Sequence, residues 1–247
     1  MTTHRAIVDA SFSVGRGEFV AIVGRSGSGK STILNLIAGL LAPDRGAVLY
    51  GAARVAGVNT CVGYMTQRDN LVPWRTVWGN LMLPLQIRHA PRSERPRLIE
   101  SVLRRVGLTE FSRHYPAQLS GGMRQRVALA RMLIYDPETL LMDEPFGALD
   151  EQLKLSLQNY LEMLWEERRK TVVYVTHDLG EAIALADRVV VFAGRPGSVR
   201  EQIPVPFGRP RNIYALRYDP AFTALHRRLW EALGSPEEDA VQRQVPS

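Results

Sequence analysis

Cysteine is nearly absent from this 247-residue chain. The single thiol, Cys61, excludes an intramolecular disulfide framework and a cysteine zinc cluster. Its setting in CVGYM predicts a buried structural thiol in a strand rather than a nucleophile. Long hydrophobic runs are lacking too. None reaches the roughly 18 residues that a spanning helix needs, and the longest, 33–42, contains Asn35. The N-terminus, MTTHRAIVDASF, shows no basic-then-apolar leader. The expectation is a soluble, cytoplasmic protein that meets a membrane only through a partner. Lysine is the third scarcity. Of 31 basic residues only Lys30, Lys154 and Lys170 are lysines. The net charge of +6 is compatible with nucleic acid, an anionic membrane surface, a phosphate ligand or a merely solvated surface. No run of like charges forms a nucleic-acid tail.

What is present is an ordinary globular composition, 45% hydrophobic, long enough for a sizeable core. Short apolar runs over 18–23, 138–142, 171–176 and 188–192 read as strands, the first of them buried, with further strands at 47–50 and 60–66. Helical spacing over 31–41 places Ile33, Leu34, Ile37 and Leu40 on one face. Leu153, Leu157, Leu161, Leu164 and Trp165 mark a long helix packed on the core. Between about 77 and 135 the pattern is helical, broken by Pro84, Pro91, Pro96 and Pro116, and contains no clear strand. This segment predicts a helical subdomain inserted into an α/β core. Strands alternating with helices predict a mainly parallel sheet covered on both faces. The stretch 204–210 reads as extended. Phe222, Leu225, Leu229 and Leu233 space out an amphipathic helix ending near 234, and 235–247 reads as a polar tail.

The first chemical motif is GRSGSGKS, Gly24 to Ser31, followed by Thr32. This is a P-loop pattern, with a strand before it and a helix after. Gly27 and Gly29 allow the backbone to curl so that N–H groups face phosphate oxygens, and Arg25, Ser26 and Ser28 complete the loop. The helix that starts near Lys30 adds its positive dipole end. Lys30 is a compact point charge suited to the β- and γ-phosphates, where an arginine fork fits less well. Ser31 can place a hydroxyl on Mg²⁺. A chance match in a chain this long is on the order of one in a hundred at average residue usage. The second motif, TLLMDEP over 139–145, is an apolar strand ending in two acids. Asp143 suits the magnesium, and Glu144, one residue beyond, suits a general base facing water.

Leu119 to Met123 reads LSGGM and continues RQRVALAR. Ser120 is a good N-cap, and Gly121 and Gly122 expose N–H groups at a helix start, a second anion-binding terminus with no lysine of its own. With the P-loop upstream, LSGGM closely resembles the signature of ATP-binding cassette (ABC) ATPases. The resemblance covers about residues 6–205, with the motifs in family order. It implies that MgATP is held between two copies of the chain, by the P-loop of one and by Ser120, Gly121 and Gly122 of the other. It implies that Gln67, in MTQRDN, senses the γ-phosphate and magnesium, that Asp150, in GALD, reaches across the dimer, and that His177, in VTHD, contacts the γ-phosphate.

The chain departs from the family at Met123, where glutamine is usual, and at the N-terminus. The adenine-stacking aromatic expected about two dozen residues before the P-loop has only His4 in its place. The run QRDNLVPWRTVWGNL and the stretch PVPFGRPRNIY are similar to importer subunits for nitrate, sulfonates and taurine. That likeness implies a peripheral ATPase on the cytoplasmic face of the inner membrane. It would be paired with an integral permease and served indirectly by an external solute-binding protein. Trp74 then either docks on the permease or belongs to the core. The competing reading is an ABC ATPase acting on nucleic acid. Such proteins carry a long coiled-coil or zinc insertion between the P-loop and the signature, and the sequence has none, so no nucleic-acid partner is expected.

Overall fold

The computed structural model describes residues 5–147 and 149–234. His4, the one ring near the place of the adenine-stacking aromatic, and the stretch 235–247, read as a polar tail, lie outside them.

Eight strands and eight helices succeed one another among these residues. Strand β1 (Phe19–Gly24) leads into α1 (Lys30–Ile37), and β2 (Leu49–Tyr50) and β3 (Ala53–Arg54) form a small antiparallel pair. After β4 (Val62–Met65) come α2 (Val77–Ile87), α3 (Arg95–Arg105) and α4 (Gly121–Tyr135), with no strand among them. The chain returns through β5 (Thr139–Asp143), α5 (Glu151–Arg168), β6 (Thr171–Thr176), α6 (Leu179–Leu185), β7 (Arg188–Ala193) and β8 (Ser198–Pro204), and ends in α7 (Ile213–Leu216) and α8 (Pro220–Leu233).

Six strands form one sheet in the order β4-β5-β6-β1-β7-β8, in which only β8 is antiparallel. The alternation of side chains along each strand divides the core in two. Phe19, Ala21, Val23, Val172, Tyr174, Val189 and Val191 face the cluster that α5, α6 and the helices of 77–135 cover. Val20, Ile22, Val173, Val175, Val190 and Phe192 face the opposite cluster, closed by Ile33 and Leu34 of α1. Both faces being covered explains why these strands read as continuous apolar runs rather than alternating ones.

Several expectations shift. Cys61 is exposed, not buried. It precedes β4, and its amide bonds the Asn59 side chain in a local turn. Helix α1 stops at Ile37 rather than reaching residue 41, because the Ala38 carbonyl accepts from Asn59 N at 2.9 Å instead of continuing the helix. Pro84 does not break α2. The fully buried Asn80 side chain ties Val72, Arg75 and Thr76 into that helix start, and α2 packs on α4. Strand β8 carries too polar a pattern, SVREQIP, to be seen from periodicity. Trp74 is 77% exposed, which removes it from the core. Among the described residues no helix is long and apolar enough to cross a membrane.

Candidate functional site

The five parallel strands point their C-terminal ends to one edge of the sheet, and the candidate motifs emerge there. The P-loop follows β1, Asp143 ends β5, His177 follows β6, and Gln67 lies two residues past β4. Strand order makes β4, β5, β6 and β1 successive neighbours. Residues far apart in sequence therefore converge, as is general at the carboxyl edge of open α/β sheets.

The loop over 24–31 is glycine-rich for a reason visible in its backbone. Gly27 and Gly29 have φ of 79° and 96°, in the left-handed region that side chains disfavour. Gly29 is the N-cap of α1, with no side-chain cap and no acid in the first turn, so the amides there lack a competing internal acceptor from a side chain. Lys30 is only 6% exposed and spans its own loop, donating to the carbonyls of Gly24 at 2.7 Å and Arg25 at 2.9 Å. Burial lowers its pKa, and the charges of Glu144 and Asp143 oppose that shift. Ser28 is buried, and its hydroxyl has no partner. Such an orphaned group beside an amide-rich loop fits a polar ligand.

Asp143 is buried at the end of β5 and hydrogen-bonds the Ser31 side chain. Burial raises its pKa, the Ser31 bond opposes the rise, and the neighbouring Glu144 charge adds to it. A hydroxyl and a carboxylate oxygen side by side make a hard donor set of the kind that suits Mg²⁺, which takes few protein ligands and keeps phosphate oxygens and waters. No group of three or more His, Cys, Asp or Glu residues forms a metal cluster among the described residues.

Glu144 stands where the strand has ended, with φ of 48°, an uncommon conformation for a non-glycine residue. Its amide still bonds the Val175 carbonyl of β6 at 2.9 Å, so the turn is anchored to the sheet while the side chain is thrown out of strand register. The carboxylate is held from two sides. Gln67 Nε2 donates to Oε2 at 3.4 Å, and His177 Nδ1 lies 3.2 Å from Oε1. The His177 side chain is 65% exposed and Glu144 22%, so the group opens to solvent.

Beneath His177 lies a buried polar network that no motif marks. Lys154, in the first turns of α5, bonds Asp178 and Glu181, each at 2.6 Å. Glu181 also accepts from Tyr174 at 2.9 Å and Thr176 at 2.7 Å. Burial alone would depress Lys154, but bonds from Asp178 and Glu181 outweigh it and raise its pKa. Asp178 is pushed up by burial and brought below its usual value by Lys154 and the amides of Glu181 and Gly180. This network fixes the residues on both sides of His177. Lysine scarcity, the signal that drew attention to Lys30, is the one that would have found Lys154.

The signature segment is placed apart. Ser120 is exposed and caps α4 by accepting from Met123 N at 3.2 Å, and Gly121 and Gly122 form the first turn with no acid among them. Arg124 in that turn pairs with Asp69 at 3.0 Å, and Arg131 donates to the carbonyls of Asn70 and Asp69, so α4 is tied to the segment that carries Gln67. Asp150 is exposed and caps α5, accepting from Leu153 N at 3.0 Å.

This fold and edge define a P-loop ATPase with an ABC signature, and comparison with known proteins agrees. The ABC transporter family model matches residues 7–147, more than half the chain. The chain is 42% identical over 223 residues to the nitrate import ATP-binding protein NrtD of Synechococcus elongatus, covering 89% of this chain and 81% of that one. It is 46% identical over 209 residues to the aliphatic sulfonates import ATP-binding protein SsuB 2 of Pseudomonas aeruginosa, covering 85% and 73%. Among solved structures it is similar, with a TM-score of 0.75 and 34% identity over 82% of this chain and 92% of the other, to the post-hydrolysis dimer of the ATP-binding cassette MJ0796 bound to ADP and Pi. The chain belongs to the ABC transporter family and is an ATPase of that class.

Proposed function

We propose that this chain is the energising subunit of an importer, hydrolysing MgATP at the interface of two copies to drive a separate membrane permease for a small anionic nutrient of the nitrate or sulfonate kind. The observation that carries the chemistry is the Glu144 carboxylate, turned out of its strand and held between Gln67 and His177 beside the P-loop. The loop amides and Lys30 take the phosphates. Ser31, Asp143 and Gln67 would hold magnesium, which would offset charge on the transferred phosphoryl group. Glu144 accepts the proton of the attacking water, and Gln67 and His177 keep that carboxylate aimed. Ser120, Gly121, Gly122 and Asp150 of a second copy complete the phosphate shell, a reading supported by the exposure of Ser120, Gly121 and Asp150 and by the dimeric MJ0796 cassettes.

Likeness to the nitrate and sulfonate import proteins supports the transport role. The exposed Trp74 in the segment between Gln67 and α2 offers an aromatic anchor for a permease. Affinity purification of the tagged protein from native membranes in mild detergent, with mass spectrometry, tests it. A polytopic membrane protein in a two-to-two complex is the expected result. Co-purifying nucleic acid or ribosomes without a permease would leave the ATPase and remove the transport role.

A further inference from the structure

The turn between β7 and β8 lies against the P-loop. Arg195 of this turn donates through Nη2 to the Ser26 carbonyl, and its guanidinium is packed so close to Gly27 that a Cβ there would sit 2.9 Å from Nη2 and 3.1 Å from Cζ. Two residues on, the Cα of Gly197 is pressed on the Ser28 carbonyl, so that any side chain at 197 would overlap that oxygen. The turn is itself fixed, since Gly197 N donates to Ala6 O at 3.0 Å and Val8 N to Gly197 O at 2.8 Å. The turn therefore meets the loop on its carbonyl side, at two alternate peptides. In a planar trans peptide the C=O and N–H point in opposite directions. Holding the carbonyls of Ser26 and Ser28 toward the turn turns the amides of Gly27 and Gly29 away from it, into the concave side where an anion is bound.

We infer that Arg195 is a positioning residue for the phosphate cradle: by pinning the Ser26 carbonyl it pre-orients the Gly27 amide and lowers the cost of ordering the loop on nucleotide. Both glycines have positive φ and would otherwise explore many conformations, so an external pin is worth most at this place. Arg195 is exposed, which lets it be replaced without opening the core. The inference rests on the reading of the P-loop as the nucleotide site.

The test is calorimetric titration of wild type, Arg195→Ala and Arg195→Lys with MgADP and, separately, with inorganic pyrophosphate, alongside thermal denaturation without ligand. Arg195→Ala is expected to weaken both ligands alike by about tenfold, the scale of one charge-assisted hydrogen bond. Its ligand-free melting temperature stays at the wild-type value. Arg195→Lys, which retains a donor, is expected to recover most of the affinity. Unchanged affinity in Arg195→Ala overturns the inference. So does a loss confined to MgADP, which would make Arg195 a contact for base or ribose, or a loss matched by a fall in ligand-free stability. Failure of the wild type itself to bind either ligand would instead remove the nucleotide-site reading.

Discussion

Two helix starts in this chain are proposed here to receive an anion, and they differ in almost everything else. The N-terminus of α1 is buried at the sheet edge, carries Lys30, borders Asp143, and is backed by a neighbouring turn. The N-terminus of α4 is exposed, bears no lysine or carboxylate in its first turn, and is satisfied by its own Ser120 cap. The first gathers charged groups around its amides. The second offers only amides and its Ser120 cap. Each offers what the other lacks, which is what a head-to-tail pair of copies needs, and substitutions at the two starts should have different signatures.

The sharpest test concerns the base. Glu144→Gln keeps the size of the side chain and its place between Gln67 and His177 but removes the proton acceptor. Turnover is expected to fall by about 10²–10⁴-fold, with MgATP binding retained and a dimer accumulating by light scattering. A near-normal rate would take Glu144 out of the role. At the other start, Ser120→Arg is expected to abolish turnover while titration with MgATP shows P-loop binding intact. Mixed dimers carrying Ser120→Arg in one copy and Lys30→Ala in the other separate the models. One active site should survive per dimer if the site is shared, and loss of both would refute a shared site.

A third prediction concerns the support under His177. Lys154→Met leaves Asp178 and Glu181 without their cation, and losing one partner of a buried pair costs about 3–5 kcal/mol. In the wild type the Asp178 contribution is lost only as pH falls below the ordinary 3.8, and that of Lys154 only as pH rises above 10.5, so their pairing holds across the range between. In the variant Asp178 keeps the burial that raises its pKa and loses the cation that lowers it, so the deficit should shrink as pH falls. Chemical denaturation at several pH values measures this, and a pH-independent deficit would count against the network as the cause.

The contrast between the helix starts also shows where sequence reading works. The P-loop, the DE pair and VTHD are contiguous, and each follows an apolar strand whose end is easy to place, so their positions at strand ends were legible before any coordinates. Its architecture was not, because it depends on contacts between distant segments. The left-handed turn at Glu144 is set by β6 through Val175, the buried Glu181 is held by Lys154 from another helix, and Arg195 reaches the loop from 169 residues away. Cys61 misled for a related reason. An apolar run names a strand but not its first residue, and one position outside β4 the thiol faces solvent.

The smallest effects distinguish the two starts most cleanly, because they run in opposite directions. Asp143 has a folded-state pKa raised by burial, so its ionised form costs stability at all pH values above the ordinary 3.8 and the cost is relieved as pH falls through the folded value. Asp143→Asn should therefore melt higher than wild type at neutral pH without magnesium or nucleotide, by about 2–4 °C if 1 kcal/mol is recovered in a chain of this size. The gain should vanish in acid, and MgATP should reverse it, since only the wild type then gains binding energy. Ser120 bears no such burden. Its hydroxyl already stabilises α4, and Ser120→Ala should cost about 1 kcal/mol through the lost cap, with or without nucleotide in the isolated subunit. Differential scanning calorimetry of both variants decides the matter. If Asp143→Asn melted lower without ligand, the α1 start would be an ordinary stabilised turn and not a site held at the expense of the fold.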